Sequence, residues 1–254
     1  MEFKSLSAVY FSPTDVSRRY ALALCEGFGV PFSQKDITSV QSRELISEFS
    51  KEDLVVFSSP VYFGRIAPLA LDYFKSLKGN GAKAVAMVSY GNRDFDDALA
   101  ELGDTLSQSG FKVIAGVSVV GRHSFTGDIA GERPDKKDLA EVSAFAKTIL
   151  SGDEKEVVFE GNRPYKGKII KVKLKSSVSS ACNDCKVCAN VCPVGAIDKN
   201  DVKKVDLNKC ILCHACEVKC PQKARVFSSL PHKFMVKVMK KQFGGNKCEN
   251  KLYL

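Results

Sequence analysis

The chain has 254 residues, 44% hydrophobic, 26% charged and 9% aromatic, which fits one large or two modest globular domains and excludes disordered and collagen-like polymers. No stretch reaches the roughly 18 to 20 consecutive apolar residues of a bilayer crossing, and the first residues (MEFKSLSAVYF) alternate polar and apolar where an export signal would be apolar, so a cytoplasmic location is expected. Charge and cysteine are both uneven: residues 1–150 carry a net −2 and residues 151–254 a net +11, and eight of the ten cysteines fall between Cys182 and Cys220.

In chain order, the hydrophobic pattern predicts a strand over residues 4–11, a polar turn (SPTD), and a helix over 16–28 with Val16, Tyr20, Leu24 and Phe28 on one face. A weaker edge strand over 32–37 precedes a short helix near 42–49. Strand 53–58 (DLVVFS) leads through a loop to a helix over 67–77, strand 84–89 (AVAMVS) to a helix over 94–108, and strand 112–120 (KVIAGVSVV) to a helix over 136–150. Nearly continuous apolar strands alternating with amphipathic helices predict an α/β domain over 1–151, a doubly wound parallel sheet covered on both faces. Cys25, inside the first helix, reads as a small core residue.

Ligands of such sheets sit at the carboxyl ends of the strands, which singles out three loops. Ser12, Thr14 and Ser17, with Asp15 and Val16, offer hydroxyls and backbone N–H groups at a helix N-terminus, fit for a phosphate or for an ordinary N-cap. The loop of Pro60, Val61, Tyr62, Phe63 and Gly64 and the loop of Ser89, Tyr90, Gly91, Asn92 and Phe95 set aromatic residues beside glycine, which suits a flat ring. His123, in RHSF after the last strand, could deliver a proton there or stabilise its loop.

These loops resemble those of flavodoxins. The resemblance implies FMN, its phosphate on Ser12, Thr14 and Ser17 and its ring near Tyr62, Phe63, Gly64, Tyr90 and Gly91. Two departures stand out: Asp15 holds the usual glycine position and Val16 a usual Thr or Ser position. Asp tolerates the left-handed backbone, and its carboxylate should weaken phosphate binding unless Arg18 and Arg19 offset it.

The linker over 152–180 has room for one or two extra strands. Residues 182–193 (CNDCKVCANVCP) and 210–221 (CILCHACEVKCP) then repeat one pattern, Cys-x2-Cys-x2-Cys-x3-Cys-Pro, at an interval of 28. Structural zinc sites need only two Cys pairs per ion, and disulfides suit exported chains. The region over 181–230 resembles two-cluster bacterial ferredoxins, a smaller α+β domain in which the fourth cysteine of each run ligates the other cluster. The resemblance implies two 4Fe-4S clusters, one on Cys182, Cys185, Cys188 and Cys220, the other on Cys210, Cys213, Cys216 and Cys192. His214 reads as a solvated loop residue or a donor to a sulfur. Residues 233–243 form a basic amphipathic helix that packs on the protein itself, on a partner or on an anionic membrane, and the last residues, with Cys248, a loose tail.

The whole is similar to flavodoxin-ferredoxin fusion proteins, which implies transfer of low-potential electrons between two 4Fe-4S clusters, FMN and a redox partner protein. Each oxidised cluster formally subtracts two charges, leaving the basic half at about +7, so an acidic partner surface is expected and nucleic acid is not. Flavin-dependent reduction of a small substrate and an iron-sulfur redox sensor are the alternative functions.

Overall fold

A computed structural model of the protein describes residues 1–44, 47–167 and 172–254. Strands β1 (Ser5–Tyr10), β2 (Ser33–Asp36), β3 (Asp53–Tyr62), β5 (Lys83–Tyr90) and β6 (Lys112–Val120) run parallel in the order β2-β1-β3-β5-β6. Counting only these parallel strands, the order is 2-1-3-4-5, that of the flavodoxin-like doubly wound sheet, whose switch point lies between β1 and β3. Strand β4 (Arg65–Ile66) folds back antiparallel on the end of β3, which is why β3 runs past the predicted Ser58.

Side chains alternate across the sheet as the pleat requires. Leu54 and Val56 pack with α1 (Val16–Gly27) and α4 (Lys136–Ser151), while Val55 and Phe57 pack with α2 (Pro68–Lys75) and α3 (Ala98–Gln108). Cys25 is fully buried in the first of these layers. Helix starts follow local chemistry. Asp135 and Asp138 cap α4 reciprocally, at 2.9 and 3.0 Å, and Pro68 opens α2, where its missing N–H costs nothing.

Residues 152–167 do not hang free. Phe159 fills the space left by Gly103 and Gly116, Val157 N donates to Val113 O at 2.8 Å, and the buried Asp97 carboxylate accepts the backbone N–H groups of Asn162 and Lys166. An extra strand does form, β7 (Ser177–Val178), paired antiparallel with β8 (Arg225–Val226). Between them, α5 (Val187–Asn190) and α6 (Ala215–Val218) stand 28 residues apart, so the sequence repeat is also a repeat of structure. Helix α7 (Leu230–Phe243) follows.

Two expectations are corrected. The helix near 42–49 is, among the described residues, a 3-10 turn at Gln41–Arg43, and Glu48 bridges to Lys78; residues 45 and 46 lie outside the described residues. The C-terminal tail is not loose. It forms β9 (Lys251–Tyr253), antiparallel to β6 at the sheet edge, and Asn250 reaches Val120 N, Asp138 and Glu141. Among the described residues no helix is long and apolar enough to cross a membrane.

Candidate functional site

The two cysteine runs adopt the same unusual backbone. Asp184 and Lys186 in the first run have φ of +55° and +61°, and Leu212 and His214 in the second have +53° and +58°. Such angles cost non-glycine residues about 1–3 kcal/mol each and persist where the surroundings impose them. Their effect is to wrap each Cys-x2-Cys-x2-Cys turn around a hollow.

Each hollow is framed by four cysteines. One is lined by Cys182, Cys185, Cys188 and Cys220. The other is lined by Cys192, Cys210, Cys213 and Cys216. The fourth cysteine in each set comes from the opposite run, carried there by the chain after α5 and α6. Backbone N–H groups point at sulfur in equivalent places: Ala196 N to Cys192 Sγ at 3.2 Å and Ala224 N to Cys220 Sγ at 3.3 Å. Asp184 N also donates to Cys182 Sγ at 3.4 Å.

The electrostatics of the two sets differ. Burial pushes the Cys216 thiol up to about 12, and burial likewise raises Cys213 and Cys210. At Cys220 burial also acts to raise the pKa, but the N–H groups of Arg225, Ala224 and Gln222 outweigh it and the net shift is downward.

Between the hollows lies Arg225, only 2% exposed. Its guanidinium donates to Ser176 Oγ at 3.0 Å, to Val202 O, and to Cys188 Sγ at 3.4 Å, and its charge offsets part of the rise that burial causes at Cys216. None of these partners is a carboxylate. A buried cation is stable only with a counter-charge, and the facing sulfurs are where one would arise.

The aromatic pocket borders the second hollow. It is lined by Val61, Tyr62, Phe63 and Gly64 from one loop, Tyr90 and Gly91 from the next, His123 and Phe125, and Met239 and Phe243 of α7. Arg93, Asp94 and Ser124 also line it, as do Ile211 and Leu212, and the last two side chains line the second cysteine hollow as well. Tyr62 faces this wall: burial, and then the charge of Cys213, raises its phenol pKa. Phe63 holds φ +53° and is 41% exposed, an uncommon posture for an aromatic residue and typical of binding loops. Space at Gly91 is also filled: a Cβ there would lie 2.5 Å from the His123 ring.

A second pocket adjoins the first at His123 and Ser124 and includes Thr14, Asp15, Val16, Arg19 and Arg122. Asp15 takes the left-handed φ of +70° that glycine would, and its carboxylate pairs with Arg18 at 3.1 Å. Ser12 Oγ accepts from Arg18 N at 3.0 Å, so it caps α1 from within the turn.

Several expected residues are turned elsewhere. Ser17 is buried with its hydroxyl shared with Ser89 at 2.8 Å, because the first turn of α1 packs on the end of β5. Asn92 donates to Phe243 O and Asn246 O at 3.2 and 3.0 Å, and Phe95 packs on Tyr90. Pro60 O accepts from Ala67 N. His123 is a loop residue: burial first, then His214 and Arg93, lower its pKa to about 4, and its Nδ1 accepts from Phe125 N.

His214 is not solvated. It is 1% exposed, packed against the tilted rings of Phe227 at 4.1 Å and Phe125 at 4.7 Å, with Nδ1 2.7 Å from Glu217, because the apolar second run turns inward. Cys248 is held as well, its thiol 3.5 Å from Asn92 O. Sequence reading missed Arg225, Ile211, Leu212, Met239 and Phe243. The apolar pair inside the second cysteine run was the available signal.

A family model described as 4Fe-4S binding domain matches residues 178–198 and 203–226. An uncharacterised polyferredoxin-like protein of Methanocaldococcus jannaschii is 30% identical over 108 residues, covering 33% of this chain and 64% of the relative. The chain thus spans less than two thirds of the length of that curated relative. Among solved structures, a flavodoxin from the domain Archaea aligns over 57% of this chain and 96% of its own, at 14% identity and a TM-score of 0.38. A flavodoxin of Streptococcus pneumoniae aligns over 58% and 99%, at 13% identity and 0.42. The apo form of an NADH:FMN oxidoreductase aligns over 60% and 93%, at 11% identity and 0.43. The chain therefore joins a 4Fe-4S binding domain to a sheet domain whose own strand order is flavodoxin-like.

Proposed function

We propose that this protein is an iron-sulfur flavoprotein that holds two 4Fe-4S clusters and FMN and moves low-potential electrons between a redox partner protein and the flavin. One observation carries the reading: Ile211 and Leu212 form the wall shared by a four-cysteine hollow and the aromatic pocket at the sheet's ligand end. Bound there, the flavin would exchange two electrons with a system of clusters that each carry one.

The residues fit these groups. Cys182, Cys185, Cys188 and Cys220 would hold one cluster, and Cys192, Cys210, Cys213 and Cys216 the other. N–H groups aimed at the sulfurs of Cys182, Cys192 and Cys220 would hydrogen-bond to ligating sulfur, and at Cys220 they favour the thiolate that iron requires. The buried Arg225 gains its missing counter-charge once anionic clusters occupy both sides. Tyr62, Phe63, Tyr90 and the amides of Gly64 and Gly91 suit a flat ring, and Thr14, Arg19 and Arg122 suit its phosphate, with Asp15 already paired to Arg18. Of the predicted phosphate hydroxyls, Thr14 alone lines the pocket; Ser12 accepts from Arg18 N within the turn, and Ser17 is shared with Ser89.

Reduction of a small substrate is the second reading; of its two expected proton donors, His123 has its pKa lowered by burial to about 4, and the Tyr90 hydroxyl donates to Glu249 O at 3.3 Å. Protein purified without oxygen, or reconstituted with iron, sulfide and FMN, is expected to contain two clusters and one FMN per chain by metal, sulfide and flavin analysis. Zinc in place of iron, or no retained flavin, would overturn the reading.

A further inference from the structure

The two cysteine runs share a backbone but not an environment. Between the cysteines of the first run stand Asn183, Asp184, Lys186 and Val187; between those of the second stand Ile211, Leu212, His214 and Ala215. The backbone repeats at an interval of 28, so the polar run faces water and the apolar run faces protein for reasons of side chain alone.

The structure follows that division. Residues 183–186 are exposed, Cys185 among them, while residues 212–215 are buried. Two residues lining the inner hollow meet the sheet domain: His214 packs on Phe125 at 4.7 Å, and Arg43 Nη2 donates to Pro193 O at 2.5 Å. Both hollows are lined, among the described residues, by the cysteine domain alone, the outer one by the segment between Val178 and Arg225.

Its rim is basic. Lys186, Lys219 and Lys223 are exposed beside Cys185 and Cys220. Against them stands Asp184, loosely paired with Lys186 at 3.9 Å, while Glu217 is turned onto His214. Electron tunnelling falls steeply with distance, so a docked protein exchanges electrons with the redox group nearest its contact face.

We propose that the face formed by residues 183–186 and 219–223 is the docking surface for an acidic one-electron redox protein, and that the quartet of Cys182, Cys185, Cys188 and Cys220 is the outward end of the electron path. This rests on the clusters assigned above. The inner quartet then serves the flavin pocket alone. At the outward end one electron leaves or enters per encounter, balanced by a one-electron change in the docked protein.

The test uses loaded, dithionite-reduced protein and hexacyanoferrate(III), an anionic one-electron oxidant, in stopped flow. The triple variant Lys186→Glu, Lys219→Glu, Lys223→Glu is expected to slow the second-order rate about tenfold or more at low salt, with the difference vanishing at high salt. The triple Lys233→Glu, Lys237→Glu, Lys241→Glu on α7 makes the same change in net charge and should alter the rate less than about twofold. A static readout accompanies the rates: anionic dysprosium-EDTA should speed the EPR relaxation of one cluster signal and not the other, and the first triple should abolish that selectivity.

Equal effects from both triples, or relaxation of both signals, would overturn the docking surface. If iron and flavin are complete and the reversals change nothing, the docking inference alone falls. If the protein takes up no iron, the function falls with it.

Discussion

Arg225 is the residue on which the electrostatics of the cysteine domain turn. It is 2% exposed, its partners are a hydroxyl, a carbonyl and a sulfur, and it faces one quartet at Cys188 and the other at Cys216. An unpaired buried charge costs several kcal/mol, and its replacement by an apolar residue of similar volume is often neutral or stabilising. Arg225→Met should therefore leave the apoprotein as stable as the parent or more so, by about 1–4 kcal/mol. In the loaded protein the same change removes a cation from beside clusters that gain negative charge on reduction, so their potentials should fall. Denaturant unfolding of the apoprotein and a potentiometric EPR titration check the two arms; a less stable apoprotein together with unchanged potentials would mean that Arg225 is only a packing residue. Nothing in a local pattern marks this arginine, since its role depends on β8 running between the two hollows.

Among the elements, the C-terminal strand changes the picture most. Asn250 accepts from Val120 N at 3.0 Å and donates to Asp138 and Glu141, and Tyr90 and Asn92 of the pocket loop bond to the carbonyls of Glu249, Phe243 and Asn246. The last residues thus tie α7 to the rim of the aromatic pocket. Asn250→Ala would leave the buried Val120 N–H without a partner, and a loss of about 2–3 kcal/mol is expected in urea unfolding. A loss below a few tenths would mean that water replaces the side chain. The main strands were legible because β3, β5 and β6 are long apolar runs, and α4 because its periodicity and its Asp135 cap agree. Strand β9 was not, because Lys251, Leu252 and Tyr253 carry no pattern until β6 offers an unpaired edge. Ser17 and Ser89 misled for a related reason: each reads as a free hydroxyl in sequence, and only the packing of α1 against the end of β5 brings them together.

At the scale of the molecule, the arrangement has an outside and an inside. The 28-residue cysteine repeat was legible in full, and so was the difference in its intervening residues, polar in the first run and apolar in the second. What the sequence could not supply was the contact that gives this difference meaning, since Ile211 and Leu212 meet Tyr62, His123 and Phe125 only after the two domains pack. Phe125, His214, Phe227 and His232 form one buried aromatic block at that junction, with ring centroids 4.1 to 6.1 Å apart. It joins the strand-end loop, the inner cysteine run and α7, so the pocket and the inner hollow are held together by the same side chains.

The central claim is that the quartets are crossed and unequal, one at the surface and one against the pocket. EPR of the reduced Cys192→Ser variant, with and without dysprosium-EDTA, tests it most directly. Cys192 lies in the first run yet lines the inner hollow, so the variant should lose about half its iron and keep the cluster of the other quartet. The surviving signal should be the one that the chelate relaxes. A surviving signal insensitive to the chelate would contradict the account, because it would mean that Cys192 serves the exposed set.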